Sequence, residues 1–376
     1  MKNRADVAVI GGGILGLAHA YLLARSGKRV VLFERGERAT GASVRNFGMI
    51  WPVGQPAGEM HETALRSREI WLEAVKAARL TCRRTGSLHV AHHRDEADVL
   101  REFAEIGPAA GYPCAWLDTL ETCKRSQAVQ EKNLQGALWS DTEMTVDPRE
   151  VAANLAAYLR ESGVECRYGA LVKSIRLPVV ETSLERWEAD SAIVCAGDDF
   201  ETLYPEVFAG SGLTRCKLQM MRTGPQPDSW QLGPALAAGL TLRFYKAFAI
   251  CGSLARLKMR VAEEKPEYEQ WAIHVLASQT SDGAITLGDS HEYGTAVSPF
   301  NRTSIDELIL REARVFLKLP SWHIAERWHG VYALHPALPF FEAEPEPGVR
   351  IMTAPGGSGM TLSFGLAERT ARAICA

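Results

Sequence analysis

Asp6-Val7-Ala8-Val9-Ile10-Gly11-Gly12-Gly13-Ile14-Leu15-Gly16 sets the reading of this chain, together with the text from Leu17 to Arg35 that completes it. An apolar run passes into three consecutive glycines, and a fourth follows at Gly16. An alanine- and leucine-rich segment leads to Ser26, and a second apolar run, Val30-Val31-Leu32-Phe33, ends on Glu34. The pattern predicts strand, tight turn, helix and strand, with a carboxylate at the second strand's tip. Gly16 and Glu34 stand 18 residues apart, close to the roughly 20 of a dinucleotide-binding unit. Gly11 permits the turn, Gly13 lets the backbone approach a pyrophosphate, and Gly16 lets the helix sit on its strand. The anion then rests on the N–H groups and positive end of a helix beginning near Ile14. Glu34 accepts hydrogen bonds from ribose hydroxyls and repels a 2′-phosphate, so NADP is disfavoured. An ordinary glycine turn before a helix would leave the two strands and the terminal acid unexplained.

Composition bounds the rest. A chain of 376 residues is long enough for two cores. A net charge of −3 gives no reason to expect nucleic acid or an anionic membrane as partner. The eight cysteines form no CxxC pair, so reduced core thiols in a cytoplasmic protein are expected. No metal site is expected, because the histidines do not fall at ligand spacing with cysteines or carboxylates. Lys2 and Arg4 precede an apolar stretch as in a signal peptide, but Asp6 and the glycines interrupt it. No window holds 18 uninterrupted apolar residues, and no spanning helix is expected.

Along the chain, Thr40–Met49 is a small-residue loop carrying Arg45, suited to wrapping a cofactor. Helices are predicted at Glu59–Leu80, Asp95–Glu105, Leu117–Cys123, Pro148–Ser162 and Ser304–Leu317. The second of these follows a strand at Thr85–Ala91. Asp147 caps the helix that opens at Pro148, and Gly163 stops it. Strands are expected at Val164–Tyr168, Leu171–Leu177 and Ala189–Gly197. From Lys217 to Leu287 the segments Leu240–Tyr245, Ala247–Cys251, Trp271–Ser278 and Ala284–Leu287 read as short strands of an antiparallel sheet. The stretch Arg215–Arg260 carries Arg215, Lys217, Arg222, Arg243, Lys246, Arg256, Lys258 and Arg260 against one acid, Asp228. They form either a solvated basic face or the entrance to a pocket for an anion. Val349–Ala354 is a strand, Pro355–Thr361 a second glycine loop, and a closing helix runs to about Ile374.

Taken together, Ala5–Gly16, Glu34, Gly41–Gly48, Val146–Gly163, Ala189–Gly197 and Val349–Ile374 resemble the D-amino-acid oxidase, glycine oxidase and sarcosine oxidase superfamily along essentially the whole chain. The resemblance implies an α/β (α+β overall) architecture with non-covalent FAD. A discontinuous Rossmann-like FAD domain (1–82, 146–215 and 325–376) would be joined to an antiparallel-sheet substrate domain (83–145 and 216–324). It implies that Gly11, Gly13, Ile14, Leu15 and Gly16 hold the pyrophosphate and Glu34 and Arg35 the adenosine end. Ser43, Arg45, Asn46, Phe47, Gly48 and Met49 would lie along pyrophosphate and flavin, and Val172 against adenine. Ala196, Gly197 and Gly330 would approach the cofactor by backbone. Gly356, Gly357, Ser358, Gly359, Met360 and Thr361 would face the flavin's pyrimidine edge.

Departures from that pattern bear on substrate and attachment. Tyr332 stands where related oxidases carry a carboxylate-binding arginine. Gly330 and Arg45 stand where relatives carry a flavin-linked cysteine or histidine, and Thr286 where sarcosine oxidases use a lysine with oxygen. Ile273–Gln279, Leu287–Tyr293, Arg45–Pro52 and Gly359–Gly365 are similar to FAD oxidoreductases associated with organophosphonate breakdown. That similarity implies oxidation of an aminophosphonate, such as 2-aminoethylphosphonate or its N-methyl form, towards phosphonoacetaldehyde, with hydride passing to flavin N5. Tyr245, His274 and Tyr332 are the catalytic candidates at the amine. Arg243, Lys246 and Met49 are the substrate-binding candidates, the two cations pairing with the anion. His291 and Glu292 read as a turn network. Oxidation of glycine, sarcosine or a D-amino acid is left open, as are a 2-hydroxy-acid oxidoreductase and a flavin-binding protein without turnover. So are the electron acceptor, O2 or another, and a homo-oligomeric state.

Overall fold

The structure is a computed structural model and describes residues 3–375. Its centre is the strand Arg4–Ile10, buried on both faces from Val7 onward, as expected of a parallel strand covered by helices. It lies parallel to Val30–Glu34 on one side and to Arg186–Val194 on the other. The helix Ile14–Arg25 crosses between the first two strands. A Cβ on Gly16 would stand 1.9 Å from the Gly11 carbonyl oxygen, so the helix packs on its strand only with glycine there. Among the described residues the sheet has eight strands. Glu165–Tyr168 extends one edge, and the antiparallel pair Val172–Arg176 and Val179–Thr182 the other. Val349–Thr353 returns parallel to Arg186–Val194.

Helices Ile14–Arg25, Glu59–Ala77 and Gly359–Cys375 pack against one another. Phe364 of the last is wedged between Tyr21 at 5.5 Å and Trp71 at 4.7 Å. The indole of Trp71 donates to the Met360 carbonyl at 2.8 Å. Asp147 caps the helix Pro148–Glu161 by accepting from the Arg149 N–H, and Gly163 follows its end at φ +90°, as the sequence predicts.

Among the described residues the second sheet has nine strands and is antiparallel except where Ala235–Ala238 runs parallel to Ser87–Ala91. Its spine is the long pair Thr214–Pro225 and Ile324–Leu334, beside the hairpin Leu276–Gln279 and Ala284–Gly288. The architecture is therefore mixed α/β, with parallel and antiparallel sheets.

The text from Lys217 to Leu287 departs from the expected run of strands. Leu240–Tyr245 and Ala247–Cys251 are replaced by 3-10 turns at Gly239–Arg243 and Lys246–Ile250. Leu240, Leu242, Ala247 and Phe248 are all fully buried there, and a short apolar run reads alike in either conformation. Two helices, Leu254–Glu264 and Pro266–Gln270, also lie in this text. The strand expected at Trp271–Ser278 is confined to Leu276–Gln279.

The basic stretch is not one face. Arg215 pairs with Glu201, buried Lys217 with Glu292, Arg222 with Asp282, Arg243 with Glu269, Arg256 with Asp98, and Arg260 with Asp95. No helix among the described residues is long and apolar enough to cross a membrane. All eight cysteines are free thiols.

Candidate active site

A cavity of about 730 Å³ is lined from both sheets. At one end are Gly11, Gly13, Ile14 and Leu15 of the glycine turn, with Glu34, Arg35 and Ser43. The turn is held open by its own hydrogen bonds. The Glu34 carboxylate accepts from the N–H of Gly12 and of Gly36, each at 2.8 Å. The Ile14 N–H donates to Ser43 Oγ at 2.9 Å, and no side chain of the preceding residue caps this helix. Gly11 sits at φ +111°, and a Cβ there would stand 2.2 Å from the Cys195 carbonyl oxygen. Val172, Ala196 and Gly197 line the same end, and Arg35 is paired with Asp199 at 2.7 Å.

Along the middle run Arg45, Asn46, Phe47 and Gly330 on one side and Gly356, Gly357, Ser358, Gly359 and Met360 on the other. Asn46 staples its loop. Its Nδ2 donates to the Ala42 carbonyl at 2.9 Å and its Oδ1 accepts from Gly48 at 2.6 Å. Arg45 donates to the His329 carbonyl at 3.1 Å, and a Cβ on Gly330 would stand 3.3 Å from the Arg45 carbonyl.

The far end is built from Phe244, Tyr245, Lys246, His274, Asp289, His291, Tyr293 and Tyr332. The turn that replaces the expected strand presents the first three. Lys246 is exposed at the cavity, and its ammonium has no acidic partner among the described residues. His274, Asp289 and His291 are buried side by side. His274 Nε2 lies 3.2 Å from Asp289 Oδ1, and His291 Nε2 lies 4.0 Å from it. Burial holds the His274 imidazole well below its usual range, with His291 and Arg243 adding to the effect. Burial likewise pushes His291 down to about 4 and Asp289 well above the usual carboxylate range. Tyr245 and Tyr332 are pushed up by burial, so both remain phenols.

Five of the expected residues do not line this cavity. Gly16 and Gly48 serve close packing; a Cβ on Gly48 would stand 1.9 Å from the Val146 carbonyl oxygen. Met49 is core, paired with Thr145 in a short strand. Thr361 Oγ1 accepts from the Trp51 N–H. The Arg243 guanidinium is turned to Glu269 and to the Ile273 carbonyl, because burial of a cation demands its own partners. Asp289 and His291, by contrast, join the site, although the resemblance of Leu287–Tyr293 gave neither a role there and His291 reads from sequence as part of a turn network.

The ligand atoms of His274, Asp289 and His291 lie within 4.8 Å of one another, so the fold gathers histidines and a carboxylate that are scattered along the sequence. The two imidazoles are stacked 13° from parallel at 4.8 Å.

The sequence pattern described as FAD dependent oxidoreductase (DAO) matches residues 6–373. Glycine oxidase of Geobacillus kaustophilus (strain HTA426) is 27% identical over 210 residues, covering 52% of this chain and 55% of that protein. Human mitochondrial sarcosine dehydrogenase is 28% identical over 182 residues, covering 47% of this chain and 20% of that protein. The chain thus matches about half the length of the first and a fifth of the second. In fold it is similar to crystalline glycine oxidase from G. kaustophilus (TM-score 0.77, 20% identity, 98% of this chain and 95% of that one). It is also similar to L-proline dehydrogenase from P. horikoshii (TM-score 0.78, 19% identity, 100% and 94%).

The residues present fit the cofactor of that family. Gly11, Gly13, Ile14 and Leu15 bring backbone to the cavity wall at the start of a helix, where a pyrophosphate can rest, and Glu34, also in that wall, retains lone pairs for ribose hydroxyls. With the pattern spanning 6–373 and this cradle in place, the chain belongs to the FAD dependent oxidoreductase family.

Proposed function

We propose that the protein oxidises the carbon–nitrogen bond of a small anionic amine, an aminophosphonate such as 2-aminoethylphosphonate or its N-methyl form being the best fit. The observation that carries this reading is Lys246, a cation without an acidic partner at the end of the cavity farthest from the glycine turn. It supplies a charge for an anion where Tyr332 takes the place of a carboxylate-binding arginine. In this reading the sheet centred on Arg4–Ile10 serves the cofactor and the sheet centred on Thr214–Pro225 serves the substrate.

FAD, when bound, supplies acceptance of two electrons as a hydride. Gly11, Gly13, Ile14, Leu15, Ser43 and Glu34 hold its nucleotide end, and the Gly356–Gly359 backbone flanks its ring. The chain's other residues bind and orient. Lys246 pairs with the anionic group as a point charge. Tyr245 and Tyr332 donate or accept as neutral phenols against the amine, and His274 stands beside them. Phe244 and Leu276 exclude water around the reacting carbon, where orientation contributes most to rate. The oxidised product hydrolyses to an aldehyde and ammonia or methylamine.

A second reading, oxidation of glycine or sarcosine, is favoured by the names of the relatives above. Anaerobic mixing of the yellow protein with glycine, sarcosine, 2-aminoethylphosphonate and N-methyl-2-aminoethylphosphonate separates the two. Bleaching by the phosphonates alone supports the first. Bleaching by glycine or sarcosine with the phosphonates inert refutes it.

A further inference from the structure

We propose that Asp289 and His274 form a proton-accepting dyad at the substrate end of the cavity, which takes the proton from the substrate's ammonium group before its carbon–nitrogen bond is oxidised. The inference rests on the amine reading above and adds the group that makes the amine reactive, since a protonated nitrogen has no lone pair from which to drive loss of hydride.

The fold places the pair by a one-residue slip. In the hairpin, Leu276 stands opposite Gly288, Ala277 opposite Leu287 and Ser278 opposite Thr286. Continued without change, that register would bring Ser290 opposite His274. Instead His274 and Asp289 exchange both backbone hydrogen bonds, His274 N–H to the Asp289 carbonyl at 3.2 Å and the reverse at 2.7 Å. A slip of one residue exchanges which side chain faces a given side of a sheet. Asp289 therefore joins His274 and Leu276 on the cavity wall, while the Ser290 hydroxyl accepts from the Gln219 N–H instead. Directly opposed side chains of such a pair are neighbours, and the imidazole Nε2 is 3.2 Å from the carboxylate.

The surroundings favour proton exchange over a fixed ion pair. His274 is 6% exposed and Asp289 4%. The other titratable groups that act on them are His291 and Tyr293 from the same segment as Asp289, Arg243 and Tyr245 from the turn, and Cys216 and Tyr332 from the long strands, with Lys246 on the wall of the same cavity. Arg243 is committed to Glu269. Among the described residues neither lysine nor arginine lies within ion-pair distance of Asp289, so an entering ammonium would be its first full cation. His274 Nδ1 and Asp289 Oδ1 are buried without a well-formed hydrogen bond. The imidazole packs near-parallel to Phe244 at 4.6 Å and to His291 at 4.8 Å, two rings that are themselves 5.7 Å apart. His291 is itself fixed by its Nδ1 on the Ala272 carbonyl at 3.0 Å. Burial drives the acid up and the imidazole down, towards each other, which is where a shared proton moves at least cost.

The step balances simply. A substrate N–H bond breaks and leaves its electron pair on nitrogen. The proton goes to the dyad in its deprotonated form, carboxylate beside neutral imidazole, and is released to water in the next cycle. The neutral amine is then the form from which FAD, when bound, could accept a hydride of the adjacent carbon.

The test is anaerobic stopped-flow reduction of the FAD-loaded protein by whichever amine of the panel bleaches it, from pH 6 to pH 10. Asp289→Asn and His274→Gln are compared with the wild type. The dyad predicts a rate in the wild type that rises with pH along a one-proton limb. Asp289→Asn should be at least about 100-fold slower at pH 7, the lower bound for general base catalysis. It should recover most of the difference near pH 10, where an amine with a pKa near 10.4 is about a quarter neutral in solution, against well under about 0.1% at pH 7. His274→Gln should show the same recovery, and supplies the test should Asp289→Asn fail to take up FAD.

Variants within threefold of wild type across the range would overturn the dyad. A deficit equal at pH 7 and pH 10 would do the same, since it would mark a structural role. So would a rate that requires added zinc and is lost to a chelator, because the side chains would then be ligands. Failure of every amine to bleach the wild type is a different result: it removes the amine reading, and the dyad with it.

Discussion

Replacing Gly11 with alanine tests the glycine turn in isolation, with Gly27→Ala as its internal control. Both residues have positive φ, +111° and +81°, but a Cβ on Gly27 meets nothing within 4 Å. Gly27→Ala therefore measures backbone strain alone, about 1–2 kcal/mol for an L-residue in the left-handed region. A Cβ on Gly11 would add a contact of 2.2 Å with the Cys195 carbonyl oxygen, roughly 1 Å inside van der Waals distance. That oxygen cannot yield freely, because the Cys195 N–H is tied to the Ile10 carbonyl at 2.7 Å. The added displacement brings the total to about 3 kcal/mol or more, within the range of backbone strain and overpacking combined.

Unfolding entropy of about 2.1 cal/mol/K per residue gives roughly 0.8 kcal/mol per degree for a chain this long. Gly27→Ala should therefore lower Tm by about 1–3 °C and Gly11→Ala by about 4 °C or more on that scale. Thermal unfolding, with FAD content measured by absorbance after gel filtration, reads both effects. Gly11→Ala should also lose most of its FAD, since the clash opens the turn at the pyrophosphate end, while Gly27→Ala should keep it. Equal Tm values for the two variants, with equal FAD content, would refute the argument that the turn is shaped by this close approach.

Other outcomes follow from the same geometry. Lys246→Met should raise KM for an anionic amine about tenfold or more, as expected for loss of one charge-assisted contact. Arg243→Met should leave KM unchanged and lower Tm instead; steady-state kinetics on both variants checks this. Glu34→Ala removes the acceptor of two backbone N–H groups and should weaken FAD binding at least about tenfold at 1–3 kcal/mol per unsatisfied donor, read by fluorescence titration.

For pH, burial pushes His89 down to about 3, and neither of its ring nitrogens has a partner. The unfolded chain takes up this proton below its usual value near 6.5 while the folded chain refuses it. The contribution to stability is therefore full above that value and is lost as pH falls. Between pH 6.5 and 5 that amounts to about 2 kcal/mol at 1.36 kcal/mol per unit. His89→Leu should reduce the fall in stability over that interval by this amount, measured by denaturant unfolding at both pH values. An unchanged fall would show that His89 is not a buried neutral imidazole.

What the sequence makes legible here is what is local. Strand, glycines, helix and acid occur in order within Asp6–Arg35, and each residue type answers a local demand, so the centre of the first sheet is readable at once. The Pro355–Thr361 loop is readable for the same reason, and Lys246 stands out as a charge beside aromatic residues. The basic stretch misleads because its acids lie outside it: Glu201, Asp282, Glu292 and Asp95 come from other segments, and only the fold brings them in. The helix Leu254–Glu264 does carry a signal, Leu254, Leu257 and Val261 at helical spacing, which the reading of this text as strands passes over. Asp289 is beyond reach of any pattern. Whether it or Ser290 faces the cavity depends on a single-residue slip, and no periodicity in the text announces one.

The position of the strand Arg4–Ile10 at the middle of its sheet also constrains the order of assembly. Val9 is opposite Leu32 on one side and Ile193 on the other. As the chain is synthesised, the first neighbour emerges almost at once, while the second appears only after more than half the chain has been made. Until then an apolar strand bears one unpaired edge, the kind of surface on which partly made chains associate. Long-range pairing of this sort also slows folding. The nascent protein therefore passes through an interval in which the central strand of its first sheet carries an adhesive edge, ended only when Arg186–Val194 arrives to cover it.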